Sequence, residues 1–266
     1  NNYKSINKVH NNIIRRSLMK IEVEMKILVY GAGVMAQYVK ESIINSNNEF
    51  IGFIDPLGNG NFENFESKKL EYDAIIDFSH FSLIEDVLKA ALLKKVPLVI
   101  ATTGHTNEQL DSIEKASREI PIIKATNTSL GVTIVNEVVA FATRLLKDFD
   151  IEIIEKHHNR KIDAPSGTAI TLLEKVEENL EGNYNIVYGR KDYSKRTEKE
   201  IGIHSIRGGN IIGEHTVVYA KNDEIIEIKH EALSRKMFSD GAVKAVVYLN
   251  GKSAGKYTMK DVLGIK

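Results

Sequence analysis

The chain reads as an α/β protein in which a Rossmann-type parallel sheet comes first and a smaller α+β region follows. Three observations carry that reading. Short apolar runs at residues 26–30, 50–54, 74–78, 97–100 and 121–124 alternate with helical stretches. The first run leads into Gly31-Ala-Gly-Val-Met-Ala36, a G-x-G-x-x-A fingerprint placed between a strand and a helix. Beyond residue 127 the alternation gives way to one long helix, a strand with a strict period of two, and a β-rich stretch.

Each element has its own reason. In the turn after residues 26–30, Gly31 supplies the tight bend and Gly33 lets the backbone approach a pyrophosphate. Ala36 keeps helix and strand close, with Ala32, Val34 and Met35 in the same turn. The helix it opens runs over 38–44. The second strand, 50–54, ends in Asp55, about 20 residues on, where such folds bond the cofactor ribose. Helices at 81–94 and 107–118 fill later crossovers. Ligands bind beyond the carboxyl ends of parallel strands. Those ends carry Asp77-Phe78-Ser79, Ala101-Thr102-Thr103-Gly104 and Ala125-Thr126-Asn127-Thr128, mostly small or polar residues that let a cofactor come close. The long helix spans 130–147. Residues 150–158 alternate, so Ile151, Ile153, Glu155 and His157 share one face and His158 takes the other. Ser166 is placed to cap a helix over 169–180. Runs at 213–220 and 224–230 form a hairpin about Lys221-Asn-Asp223, and a helix returns at 238–249.

With 266 residues the chain can bury one large core or two. Lys+Arg and Asp+Glu both number 36, a balance that argues against nucleic acid held by phosphate electrostatics. No cysteine is present, which excludes disulfides, thiolate catalysis and cysteine-ligated zinc. No apolar run is long enough to span a bilayer, so no membrane partner is expected. Residues 1–24 differ from the rest: the first twenty are rich in Asn, Lys and Arg and lack any acid. They read as an extension outside the fold, with a transit peptide as the alternative. The location expected is cytoplasmic, or plastid under that alternative.

The chemistry concentrates in Glu155-Lys-His-His-Asn-Arg-Lys-Ile-Asp-Ala-Pro-Ser-Gly-Thr-Ala169. His157 can deliver a proton near neutral pH. Lys161 can neutralise developing negative charge. The helix start at Ser166, Gly167 and Thr168 offers unpaired N–H groups to an anion. Together they suit a small acidic substrate. Adjacent histidines diverge on a strand, so no metal site is expected at His157 and His158. Arg207, ahead of two glycines, is open to two readings, a bidentate carboxylate clamp or a structural salt bridge. His215 and His230 read as structural or interfacial.

These segments resemble the 4-hydroxy-tetrahydrodipicolinate reductases, also called dihydrodipicolinate reductases. His157-His158, Lys161 and Asp163-Ala-Pro-Ser-Gly-Thr168 look like that family's signature. Ala101-Thr-Thr-Gly104, Asn127-Thr-Ser-Leu-Gly-Val132, Arg207-Gly-Gly-Asn-Ile-Ile-Gly-Glu-His-Thr216, Ser234-Arg235 and Phe238-Ser-Asp-Gly-Ala242 support it. The resemblance implies a dinucleotide domain at 25–127, completed by 237–266, and a substrate-binding and tetramerisation domain at 128–236. It implies a homotetramer, NADH or NADPH as cofactor and a small dicarboxylate as substrate. His157 resembles the general acid and Lys161 its charged partner. His158 resembles a substrate-binding residue, and Gly167 with Thr168 a carboxylate grip. The hydride must come from the nicotinamide, since no side chain supplies one. Many members carry Gly-Arg-Met-Gly where this chain has Gly33-Val-Met-Ala36, so an arginine that some place toward phosphate is missing. With Asp55 ending the second strand, NADH is expected to serve at least as well as NADPH.

Two other functions compete. Another nicotinamide-dependent amino-acid dehydrogenase would share the Gly31 loop but would not need the cluster from His157 to Thr168. A catalytically inactive dinucleotide sensor would be expected to have lost His157 or Lys161, and both are present.

Overall fold

The computed structural model describes residues 25–66 and 70–265. The extension at 1–24 and the lysines at 68 and 69, the basic residues nearest Asp55 along the chain, lie outside the described residues. Two sheets organise the rest. Strands β1 (Lys26–Tyr30), β2 (Glu49–Ile54), β3 (Ala74–Asp77), β4 (Leu98–Ile100) and β5 (Pro121–Lys124) form a parallel sheet. A sixth strand, Gly255–Tyr257, adds beside β5 from the carboxyl-terminal tail. The strand order, 2-1-3-4-5 followed by the tail strand, reverses direction at β1 and β3, so the crevice for a ligand opens above those two.

Buried aliphatics coat both faces of this sheet. Leu28, Ile75, Leu98 and Ile122 pack on one side and Ile27, Val29, Ile76 and Val99 on the other, none with any exposure. Helix α1 (Val34–Asn45) begins four residues earlier than the pattern places it, because Gly33 itself is the N-cap. Helix α2 (Ile84–Lys94) is preceded by a single 3-10 turn and α3 (Asn107–Ser117) opens with a Thr106–Gln109 capping box. The long α4 (Leu130–Leu145) then carries the chain to the second sheet.

The second sheet is mixed. Strand β6 (Asp150–His157) lies at its centre, parallel to β8 (Glu200–Arg207) and antiparallel to β9 (Gly213–Lys221). Strands β7 (Asn185–Tyr188) and β10 (Glu224–Ala232) are its edges. Helices α4 and α5 (Gly167–Glu177) pack on one face through Val139, Leu172 and Val176, against Ile151, Ile153, Ile203 and Val217. The period of two marks β6, while β7 is only four residues long and β8 carries the polar residues His204, Ser205 and Arg207 toward its carboxyl end. That is why the sequence pattern passes over them. The expected hairpin is present, and β9 pairs with β10 from Lys221↔Glu224 to Gly213↔Ala232.

Helix α6 (Lys236–Leu249) returns to the first sheet, burying Ala242, Val243, Val246 and Leu249. Its seat is set at Gly241, where an added Cβ would lie 1.8 Å from the Thr128 carbonyl oxygen. Thr128 donates its hydroxyl to the Phe238 carbonyl at 2.6 Å. Gly241→Ala is therefore expected to destabilise by about 3 kcal/mol, the upper end for overpacking, and to lower the melting temperature by about 6 °C or more. A thermal scan with the midpoint unchanged would mean that α6 can slide off Thr128.

Candidate active site

The glycine turn is built as a cradle. Gly31 has φ of +98°, and a Cβ there would stand 2.6 Å from the Phe78 carbonyl oxygen. No other residue fits both the backbone angle and the approach of the β3 end. Gly33, by contrast, has nothing within 4 Å of where its Cβ would be. It caps α1 without a side-chain acceptor, so the first-turn N–H groups are left for an anion. Ala36 is fully buried against the sheet, while Ala32, Val34 and Met35 stay at least partly exposed along the turn. A cleft of about 340 Å³ opens beside it, lined by Met35, Phe78, Ser79, Ala101, Thr102 and Thr103 among others. These residues fit a dinucleotide.

Beneath that cleft lies a group that the sequence places at a strand end but gives no role. Asp77 is 1 % exposed and accepts from the Ser79 hydroxyl at 2.5 Å and the Ser79 N–H at 3.0 Å. Burial raises its pKa, and the Ser79 bonds oppose that rise. It thereby shapes the Phe78-Ser79 loop that faces Gly31. Asp55 ends β2 with its carboxylate turned to its own loop, accepting from Leu57 N–H at 3.0 Å and Asn59 Nδ2 at 3.1 Å. Ala125 and Thr126 close the β5 end. Thr128 is turned inward onto Phe238, so its hydroxyl serves the seat of α6.

The second half of the site stands on β6. His157, 9 % exposed, bonds through Nδ1 to the Glu155 carboxylate at 2.6 Å. Glu155 is fully buried and also accepts from both terminal nitrogens of Arg207, at 2.7 and 2.8 Å, and from the Ser166 N–H at 3.3 Å. Burial would push this carboxyl up, but Arg207, Ser205 and His157 outweigh it and hold it down at about 2. The fork of Arg207 is thus taken by Glu155 and by the Asp163 carbonyl at 2.7 Å. Of the two readings left open for it, the geometry matches the salt bridge, because parallel pairing sets His157 opposite Arg207.

Strand β6 ends at His157, so His158 lies beyond it and not on its opposite face. The turn that follows, with Asn159 N–H donating to the Gly209 carbonyl, ends the pleat. Burial first, then Arg160, Arg235, His157 and Lys161, depress the His158 pKa. Lys161 folds onto Asp163, with its ammonium 2.8 Å from both carboxylate oxygens. Ser166 caps α5 by accepting from Ala169 N–H at 3.2 Å, leaving the Gly167 and Thr168 N–H groups beyond reach of any helix carbonyl. Asn127, at the end of the first sheet's last crossover loop, donates to Thr168 Oγ1 at 3.2 Å. That contact joins the β5 end to the α5 N-terminus.

His215 is a second group that sequence reading leaves outside the site. Antiparallel pairing sets it opposite Glu155, its ring 5.2 Å from that of His157, and its Nε2 is 2.8 Å from Ser166 Oγ. It is the third residue of β9, and only the pairing of that strand with β6 brings it to Glu155. Arg235, at the head of α6, joins the same basic neighbourhood. Among the described residues no group of three or more His, Asp or Glu side chains could hold a metal.

Comparison with known proteins agrees with this arrangement. Family models described as "Dihydrodipicolinate reductase, N-terminus" and "Dihydrodipicolinate reductase, C-terminus" match residues 25–128 and 131–263. A 4-hydroxy-tetrahydrodipicolinate reductase of Clostridium tetani is 41 % identical over 253 residues, covering 92 % of this chain and 99 % of its own. One from Brachyspira hyodysenteriae is 43 % identical over 240 residues, covering 90 % of this chain and 100 % of its own. A solved dipicolinate-bound dihydrodipicolinate reductase from Paenisporosarcina sp. TG-14 shares the fold, with a TM-score of 0.73 at 23 % identity over 89 % of this chain and 98 % of its own.

The buried ring of His215 makes a pH prediction. Burial first, and then the His157 charge, lower its pKa to about 4. The unfolded chain binds this proton below about pH 6.5 and the folded chain does not, so stability present at pH 7 is lost as pH falls from about 6.5 toward 4. His215→Gln should shrink the difference in unfolding free energy between pH 7 and pH 5 by about 2 kcal/mol. Urea titrations at both pH values decide it, and an unchanged difference would show that His215 takes up its proton in the folded state.

Proposed function

The chain belongs to the dihydrodipicolinate reductase family, and from that premise we propose that it reduces 4-hydroxy-tetrahydrodipicolinate to tetrahydrodipicolinate, with the 4-hydroxyl lost as water, in the diaminopimelate route to lysine. The observation that carries this reading is His157, tied to Glu155 at 2.6 Å and set beside the open N-terminus of α5. A bound nicotinamide supplies the hydride. The Gly31–Ala36 turn, Ser79, Ala101, Thr102 and Thr103 would hold the dinucleotide. His157 holds the proton at Nε2, because Nδ1 is committed to Glu155. The N–H groups of Gly167 and Thr168, with the Thr168 hydroxyl, grip one substrate carboxylate. His158, its pKa lowered, offers a neutral imidazole as hydrogen-bond partner to the other, and Lys161 supplies the positive charge after exchanging Asp163 for substrate.

The same reading divides the chain into a dinucleotide unit at 25–127 and 237–266 and a substrate unit at 128–236, supported by the two sheets and the return of α6. It also carries a cytoplasmic location and a homotetramer. The outward face of the second sheet supports self-association: Ile225 is 68 % exposed there, and Ile206 45 %. Ile225→Lys should shift the mass in sedimentation equilibrium to a smaller species. An unchanged mass would move the subunit contact elsewhere.

His157→Gln is expected to lower kcat by about 10² to 10⁴, the usual worth of general acid catalysis, while nicotinamide affinity barely changes. Loss of only a few-fold would remove His157 from the role. Thr168→Ala should raise KM for substrate more than for cofactor. Among the described residues no salt bridge reaches Asp55, which accepts from Leu57 and Asn59 and would repel a 2′-phosphate. NADH should therefore serve at least as well as NADPH. A kcat/KM preference for NADPH above about tenfold, roughly 1.4 kcal/mol, would overturn that expectation.

A further inference from the structure

We propose that Glu155 and Arg207 are positioning residues for proton delivery. The buried carboxylate fixes His157 with Nδ1 as its donor and Nε2 as the nitrogen that carries the transferable proton. Arg207 serves this pair and does not bind substrate. The inference rests on His157 being the proton donor.

The geometry is over-determined. Glu155 has no exposed surface, and its oxygens accept from His157 Nδ1 at 2.6 Å, Arg207 at 2.7 and 2.8 Å, and Ser166 N–H at 3.3 Å. A carboxylate held by that many donors cannot turn without stranding one of them in the interior. The imidazole inherits its orientation. It also inherits its tautomer: once Nε2 has given up a proton, the remaining one stays on Nδ1 facing Glu155. Re-protonation is then directed to Nε2 as well.

Arg207 has little left for a ligand. One terminal nitrogen donates to Glu155 and the Ile206 carbonyl, at 2.8 Å each, and the other to Glu155 and the Asp163 carbonyl, at 2.7 Å each. Its Nε is buried. The bond to Asp163 reaches the loop that holds Lys161, and the bond from Ser166 reaches the head of α5. One ion pair therefore holds the proton donor, the lysine loop and the carboxylate grip in register. The other titratable groups around His157 are His215 from β9 and His158, Lys161 and Asp163 from the loop. His215 is buried with its Nε2 on Ser166, and Lys161 is paired with Asp163. Glu155 is thus the charged group in direct contact with the imidazole.

The test compares steady-state kinetics of Glu155→Gln and Arg207→Lys with His157→Gln, over pH 5 to 10, with nicotinamide affinity measured by fluorescence. Glu155→Gln should lower kcat by about 10²-fold, leave the substrate KM within about threefold, and move the alkaline limb of the kcat profile to lower pH. Arg207→Lys should lower kcat with little change in KM. A substrate clamp would do the reverse, raising KM more than about tenfold with the limb in place. Either that outcome, or a Glu155→Gln enzyme with kcat within threefold and an unmoved limb, overturns the proposal. Should Glu155→Gln fail to fold, the Glu155→Gln/Arg207→Met pair removes both charges and leaves no uncompensated guanidinium. It should fold and still show the lowered kcat and the displaced limb, and normal values of both would equally overturn the proposal. The two readings separate cleanly. If His157→Gln itself retains kcat, the general-acid assignment fails. If only the Glu155 variants retain it, the positioning role fails alone.

Discussion

A carboxylate with no access to water is the constraint around which the second half of this protein is arranged. Taking a charge out of water costs several kcal/mol even after relaxation, and a buried ion persists only with its donors in place. Glu155 gathers them from three directions: Arg207 on β8, His157 two residues along its own strand, and the Ser166 N–H at the head of α5. Parallel pairing of β6 with β8, register His157↔Arg207, makes the first possible. Removing Arg207 would leave the charge uncompensated; removing Glu155 would leave a guanidinium among buried strands. The ion pair earns little stability by itself, yet it admits one arrangement of strand, loop and helix.

The first sheet solves a different problem by the opposite means. A pyrophosphate needs backbone N–H groups at close range, so the chain removes side chains where the ligand must lie. Gly31 takes a left-handed φ against the Phe78 carbonyl, Gly33 leaves open space, and Ala36 lets α1 sit close on the strands. Asp77 then stiffens the neighbouring loop from below. A rigid side-chain network and a bare backbone cradle meet at the Asn127–Thr168 contact.

Features with local periodicity or fixed spacing were legible in the sequence. The parallel strands, the Gly31 turn and the shared face of Glu155 and His157 all follow from such patterns. So does the cap at Ser166. What the sequence hides is contact between residues far apart. The partner of Glu155 lies 52 positions away, and the neighbour of Ser166 lies 49 away. Neither spacing carries a signal of its own. Strands β7 and β8 escape notice for a related reason: β8 is polar at His204, Ser205 and Arg207, because its carboxyl end serves the site and not the core. The pattern that would announce a strand is spent on function.

Charge around the imidazole shows why the histidines must differ. Arg160, Lys161 and Arg235 surround a place suited to a dicarboxylate, and their field, with that of His157, depresses the pKa of His158 after burial has done so. A further cation beside His157 would compete for the same anion and oppose its protonation. His215 is the nearest candidate, 5.2 Å away, and burial holds its pKa at about 4, so it stays neutral at physiological pH. Its bond to Ser166 Oγ keeps it in place at the helix cap. One ring touches a carboxylate and can carry the proton, the next faces the basic loop, and the third is kept uncharged. Three imidazoles within one neighbourhood thus divide into three roles through burial and partner alone.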